Sequence, residues 1–144
     1  MDWDTPEAEE QWCQERRAEV ADYLARGEVP HGRIGEWPAW FLVPYVSLWA
    51  IESGEHPGSV GWWAICGDLP TDYLSAEMAT HPREAVRAIA ERWRLAAGHM
   101  EQGMPMPGFS VGSPEEWPTL APLLASRAEL LLQIVADDDA WQGL

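Results

Sequence analysis

The sequence predicts an α+β fold in which an N-terminal helix precedes a small antiparallel sheet and two amphipathic helices. Three observations predict it. Capping residues bound the first helix, two aromatic and β-branched runs flank a turn segment, and two later segments repeat apolar residues at helical spacing. The length of 144 residues, at roughly 150 residues per domain, favours a single domain spanning residues 1–144.

The first helix is predicted from Thr5 to Arg26. Thr5 can cap its N-terminus, Pro6 suits the first helical position, and Gly27 follows as a terminator. Its apolar residues fall on one side at helical spacing, and acidic residues occupy much of the remaining surface. The apolar positions are Trp12, Cys13, Val20, Tyr23 and Leu24.

Two strands are predicted at Tyr45–Glu52 and Val60–Cys66, because both runs are rich in aromatic and β-branched residues. Residues 53–59 between them hold two glycines and a proline, so the two strands are expected to form a hairpin. Residues 28–38 before the hairpin and residues 67–72 after it carry turn-forming residues and are predicted as loops.

Two further helices are predicted from about Pro82 to Glu101 and from about Leu120 to Ala136, each with a continuous apolar stripe. The stretch Ser113–Glu116 ahead of the last helix matches a capping box with proline at its first position. Prolines 118 and 122 suggest a short turn before that helix begins.

The charge balance excludes several classes of function. The formal net charge is −15, and all nine cationic residues are arginines. So negative a chain repels phosphate backbones and anionic lipid, and we expect neither a nucleic-acid partner nor a membrane-surface partner. Because the chain has no lysine, Schiff-base chemistry and phosphate-binding lysines are excluded. We expect no cofactor and no metal.

A cytoplasmic location is expected. The acidic N-terminus lacks the features of a signal peptide, and the longest uncharged run, residues 37–51, has 15 residues and two prolines. A spanning helix needs roughly 18 or more apolar residues. Cys13 and Cys66 are therefore expected to be reduced, and Cys66, in an apolar strand, to be buried and unreactive.

Tryptophan is unusually frequent, at ten of 144 residues. Trp62 and Trp63 are consecutive in a predicted strand and must point to opposite faces of the sheet. Either helices cover both faces, which apolar strands favour, or one face displays aromatic rings. An exposed tryptophan surface is typical of binding sites, in which Trp, Tyr and Arg contribute most of the binding energy.

Two groups of residues could indicate catalysis. Asp68, Asp72 and His81 follow the second predicted strand and could hold a divalent metal or form an acid–base pair. Their alternative roles are turn formation and helix capping. The stretch Gly108–Gly112 matches the Gly-x-Ser-x-Gly nucleophile pattern, but it lacks the preceding strand and the downstream histidine that this motif requires.

Several blocks of the sequence resemble a family of small bacterial proteins known only as a domain of unknown function. The blocks are Gly35–Trp40, Pro44–Glu52, Gly61–Tyr73, His81–Ala85 and Gly112–Pro118. The resemblance implies a stand-alone bacterial protein and brings no catalytic residues with it. Small acidic bacterial proteins of this size often act as immunity proteins or inhibitors that cap a toxin's basic active site, which is an analogy only.

Two hypotheses follow. The first is a non-catalytic acidic module that binds a basic protein partner, with no catalytic residues and with charge attraction speeding association. Its expected partner-binding residues are Trp37, Trp40, Trp62, Trp63, Asp68, Asp72 and Tyr73. The alternative is a small enzyme or ligand-binding protein with a site around Asp68, Asp72 and His81.

Overall fold

The N-terminal helix begins and ends where its capping residues predict. In the computed structural model, which describes residues 3–107, 109 and 111–144, helix α1 spans Pro6–Arg26. Thr5 Oγ1 accepts a hydrogen bond from Ala8 N at 3.2 Å. The left-handed residue after the helix is Glu28, with φ 52°, and not the predicted terminator Gly27, which keeps a right-handed φ of −82°.

The central sheet has five antiparallel strands. They are β1 His31–Ile34, β2 Trp40–Leu42, β3 Val46–Ser53, β4 Val60–Gly67 and β5 Leu69–Ser75. The middle strand, β3, forms the predicted hairpin with β4, and β5 adds to the far side of β4. The two short strands, β1 and β2, pair with successive parts of β3 on its other side.

Three of these strands were not predicted. β1 and β2 have only four and three residues, too few to show an alternating pattern, and β1 contains a glycine that favours a loop. The prediction of a loop over residues 67–72 is wrong from Leu69 onward, because β5 includes Pro70 and Asp72. An edge strand tolerates a proline because its outer side needs no hydrogen-bond donor.

One face of the sheet packs against α1. Val20 and Leu24 of the helix form a buried cluster with strand residues from β1, β3 and β4. Those strand residues are Ile34, Trp49, Ile51, Ala64 and Cys66. The Arg17 guanidinium also donates hydrogen bonds of 2.9 Å to the carbonyls of Ile34 and Gly35. These bonds hold the helix to the end of β1.

The opposite face of the sheet is buried as well. Leu48 of β3 pairs with Ile65 of β4, and Ala50 pairs with Trp63. Leu48 and Ile65 are fully buried, and Trp63 is 5% exposed. The alternation that separates Trp62 from Trp63 is therefore confirmed, and so is the burial of both faces that the apolar strands favoured.

The chain divides into two compact units, residues Met1–Ala85 and Val86–Leu144. The first unit holds α1 and all five strands, while α2, Pro82–Glu101, begins at its end and continues into the second. The second unit also holds α3, Trp117–Ala136. An exposed ion pair of 3.3 Å between Arg94 and Glu129 links α2 to α3. The α+β class and the order of helices around the sheet are confirmed.

Helix α3 begins three residues before its predicted start. Pro118 lies in the first turn, where a backbone donor has no partner within the helix, and the helix continues through Pro122. The acidic half of the predicted capping box forms ahead of the helix. Glu116 Oε1 accepts hydrogen bonds from Ser113 N at 3.1 Å and from Ser113 Oγ at 2.9 Å.

Helix α3 is also long and apolar enough to cross a membrane, judged by length and composition alone, with a mean hydropathy of 1.3. The helix is not an uncharged run, because Arg127 and Glu129 interrupt it. The helix buries a one-sided stripe that includes Ala121, Leu124 and Leu131. Core helices of soluble proteins have the same property, so one such helix is weak evidence for a membrane protein.

Candidate functional site

Three of the seven predicted partner-binding residues are buried. Trp40, Trp63 and Asp72 share the face of the sheet that carries Leu48 and Ile65. They are only 5%, 5% and 3% exposed. The Trp63 indole donates a hydrogen bond of 2.9 Å to Ala79 O. This placement corrects the expectation that these three side chains present themselves to a partner.

Trp62 and Tyr73 lie together on the opposite face, half-buried. Their ring centroids are 5.4 Å apart with the planes at 71°, an edge-to-face contact. Tyr73 makes a second edge contact, at 6.0 Å, with Tyr23 of α1. The Trp62 indole N–H donates to Pro30 O at 3.2 Å. The Trp62 ring is thus held on two sides while part of it stays accessible.

The two remaining predicted residues are exposed, in separate segments. Trp37 lies in the loop before β2, where it is 46% exposed and contacts the Phe41 ring edge-on at 5.5 Å. Asp68 lies in the turn between β4 and β5, where its backbone N–H donates to Tyr45 O at 2.9 Å. The seven residues therefore do not form one continuous surface.

The residues of the alternative carboxylate–histidine site, Asp68, Asp72 and His81, lie in the β4–β5 turn, in β5 and directly before α2. Asp68 and Asp72 are four residues apart, which is about 13 Å along an extended chain. The Asp72 carboxylate accepts a hydrogen bond of 2.8 Å from Tyr73 N. His81 Nδ1 accepts one of 3.0 Å from Arg83 N at the start of α2, which is a capping contact. Within the described residues, no group of three or more His, Cys, Asp or Glu side chains could hold a metal ion.

Neither cysteine is placed for nucleophilic chemistry. Cys13 and Cys66 are both buried free thiols, 1% and 0% exposed. Burial raises the pKa of each thiol to about 11, so both remain protonated at neutral pH. Cys66 Sγ lies 3.4 Å from Arg16 O and 3.3 Å from Ser47 Oγ in the interior. The Gly-x-Ser-x-Gly pattern cannot be placed, because Gly108 and Ser110 lie outside the described residues.

A cleft of about 520 Å³ lies beside the accessible part of Trp62. We call it the Trp62 cleft. It is bounded by the β3–β4 turn, the start of β4 and the short 3₁₀ helix that follows β5. The side chains that give it its chemical character are Ser53, Glu55, His56, Trp62, Ser75 and Glu77.

Local hydrogen bonds fix the backbone that carries the two glutamates. Ser53 Oγ accepts from the backbone N–H groups of Glu55 at 3.2 Å and His56 at 3.1 Å, which orders the β3–β4 turn. Ser75 Oγ accepts from Glu77 N at 3.2 Å and caps the 3₁₀ helix. The two glutamates that line the cleft are therefore carried by two ordered segments.

Apart from His56, the titratable side chains that line the Trp62 cleft are acidic. Glu55 and Glu77 are its only acidic lining residues, and no arginine lines it. Neither glutamate forms an ion pair with an arginine in the part of the chain that the structure describes. Two carboxylates beside an accessible indole form a lining that suits a cation.

A second cleft, of about 310 Å³, lies next to β1 and has a different character. Its lining includes both Arg33 and Glu52. The Glu52 carboxylate accepts hydrogen bonds from Arg33 N at 3.0 Å and Gly58 N at 2.9 Å. These two N–H groups hold the pKa of Glu52 below its usual range. Because both carboxylate oxygens accept hydrogen bonds from backbone N–H groups, Glu52 connects β1 to the β3–β4 turn.

Sequence reasoning missed Glu55, His56 and Glu77 as candidate site residues. They became visible only with β5, because Ser75 pairs with Trp62 and so brings the end of β5 beside the β3–β4 turn. Alternate connections in an antiparallel sheet lie at the same end. A prediction of β5 would therefore have placed Glu77 near Glu55.

Fold and site together define a small α+β protein with an acidic cleft beside a fixed tryptophan. Residues 7–141 match the model of a family described as a domain of unknown function (DUF4826), and the chain belongs to that family. The match covers most of both compact units and confirms the resemblance to an uncharacterised family. No curated protein and no solved structure matches the chain.

Proposed function

We propose that this chain is a non-catalytic acidic protein that binds a basic protein partner. The observation that carries the proposal is the distribution of charge. Sixteen of the 24 acidic residues, but five of the nine arginines, lie in the first unit, residues 1–85. An excess of negative charge of this size raises the rate of encounter with a basic partner.

Exposed aromatic side chains in the same unit support a binding role. Trp37 is 46% exposed and Tyr45 is 57% exposed, and Trp62 is half-buried beside its cleft. Aromatic rings of this kind contribute affinity when a partner desolvates them, whereas charge contributes mainly to the association rate. The first unit therefore offers both components of a charge-steered interface.

In its more specific form, the proposal is that the chain is an immunity-like or inhibitor-like protein of the bacterial cytoplasm. An acidic chain of this size would neutralise a partner by covering a basic functional surface, which requires no chemistry of its own. A reducing cytoplasm also agrees with two buried free thiols. On this reading the partner carries a surplus of lysine and arginine on the surface that is covered.

The test is affinity capture from the native host with matched charge variants. The tagged chain is expressed in that host, and complexes are recovered at about 0.05 M and about 0.15 M salt, where screening lengths remain near or above 8 Å. The first variant, Glu10→Gln/Glu36→Gln, neutralises two exposed first-unit carboxylates. The control, Glu91→Gln/Glu101→Gln, neutralises two exposed carboxylates of α2.

We expect a basic protein in a stoichiometric complex, confirmed by size-exclusion chromatography of the two purified chains. The yield should fall more for the first-unit variant than for the α2 variant, because the first unit carries most of the negative charge. Recovery of no basic protein at either salt concentration would contradict the proposal. Equal losses for the two variants would contradict the assignment of the interface to the first unit.

A further inference from the structure

We infer that the Trp62 cleft receives one cationic side chain, an arginine guanidinium or a lysine ammonium, presented by the basic partner. The inference rests on the proposed function and names the group that its aromatic site takes. It follows from three properties of the cleft: a fixed aromatic wall, two lining glutamates with no arginine, and a volume of about 520 Å³ beside the ring.

The aromatic wall of the cleft, the Trp62 indole, is held in place without a ligand. The Trp62 indole is anchored by its 3.2 Å hydrogen bond to Pro30 O and by its edge contact with Tyr73. A ring that is already fixed loses little freedom on binding. Tryptophan is also the aromatic side chain that attracts cations most strongly, and guanidinium groups stack well on its face.

The charges of the cleft select the sign of the ligand. Glu55 and Glu77 approach from the β3–β4 turn and from the 3₁₀ helix after β5. A guanidinium carries several donors in a planar fork and can serve two separate carboxylates, while its face remains available to the indole. An anionic ligand would meet the two carboxylates with no arginine in the lining to balance them.

The exposure of the cleft favours a side chain presented by a protein over a free metabolite. A drug-sized ligand is bound with most of its surface buried, whereas this cleft is formed by exposed turn residues and lies open to solvent. A long side chain that enters from a partner's surface needs only its end group to be enclosed. The surrounding negative charge would guide that surface into place.

The test uses a single cationic group as the probe. Nα-acetyl-arginine N-methylamide is titrated into isotopically labelled protein, and the indole N–H signal of Trp62 is followed by nuclear magnetic resonance. Nα-acetyl-citrulline N-methylamide, in which a neutral urea replaces the guanidinium at nearly the same size, is the matched probe. One cationic contact alone supports a dissociation constant on the order of 10 mM or weaker, so the titration extends well above that concentration.

We expect the arginine probe to shift the Trp62 indole signal saturably and the citrulline probe to shift it far less. Glu55→Gln/Glu77→Gln should weaken binding of the arginine probe by about fivefold, because two charge contacts are lost. Glu91→Gln/Glu101→Gln removes the same charge from α2 and should leave binding of the probe nearly unchanged. Equal shifts from both probes, or unchanged binding in the cleft variant, would overturn the inference.

The two proposals fail in different ways. If a basic partner is captured from the host and Glu55→Gln/Glu77→Gln leaves its affinity unchanged, the cleft assignment is wrong and the binding function stands. If the arginine probe binds as expected and no basic partner is captured, the cleft's preference for cations stands and the proposed function is wrong.

Discussion

Replacement of the two adjacent tryptophans of β4 should have unequal effects on stability. Trp63 is 5% exposed, and its indole N–H donates to Ala79 O. Trp63→Ala should therefore cost about 3–5 kcal/mol, the range for removing a large ring from a packed core. Trp62 is half-buried and packs against the cluster between α1 and the sheet, so Trp62→Ala loses part of that packing, the ring contact with Tyr73 and one accessible hydrogen bond. Because part of the ring already contacts water, those losses are worth about 2–3 kcal/mol together.

Urea unfolding monitored by far-ultraviolet circular dichroism measures both free energies of unfolding. Because the denaturant slope reports the surface exposed on unfolding, equal slopes for wild type and variants would justify the comparison. Trp63→Phe is a useful control, since it keeps an aromatic ring in the core while it removes the donor to Ala79 O. If Trp62→Ala destabilised the protein as much as Trp63→Ala, our assignment of the buried face would be wrong.

Three other predictions concern single contacts. Thr5→Ala removes the cap of α1 and should lower the free energy of unfolding by about 0.5–2 kcal/mol in urea melts. Thr5→Ser keeps a capping hydroxyl and should retain most of the wild-type free energy of unfolding. The Cys66 pKa rises from 9.0 to about 11 on folding, so stability should fall as pH rises through that window. The fall should be shallower in Cys66→Ala. Glu52 has a lowered pKa, so its contribution is present above its ordinary value of 4.5 and is lost as pH falls. Glu52→Gln should reduce this acid dependence and speed amide hydrogen exchange at Gly58.

The helices and the central hairpin could be predicted because their signals are local. Thr5, Pro6 and the acidic first turn mark the start of α1 within a few residues of sequence, and the β3–β4 hairpin combines two apolar runs with an obvious turn. The other strands depend on partners that lie far away in sequence. β5 pairs along β4 despite its proline, because β4 supplies the hydrogen bonds and the edge position removes the need for a donor.

The candidate site was only partly predictable for the same reason. The alternation of strand residues correctly placed Trp62 and Trp63 on opposite faces, but it could not say which ring would be accessible. Asp72 and Tyr73 are neighbours in the sequence and were expected in one binding surface. Their side chains point to opposite faces of the sheet. Glu77 became part of the cleft through strand pairing, which no local pattern encodes.

The most direct test of the central claim is the salt dependence of binding rates for the basic partner recovered from the host. Raising salt from about 0.01 M to about 0.15 M shortens the screening length from about 30 Å to about 8 Å. We predict that the association rate constant falls by about tenfold or more while the dissociation rate constant changes far less. In Trp62→Ala the dissociation rate should rise and the association rate should stay nearly constant. An association rate that does not respond to salt would contradict the account.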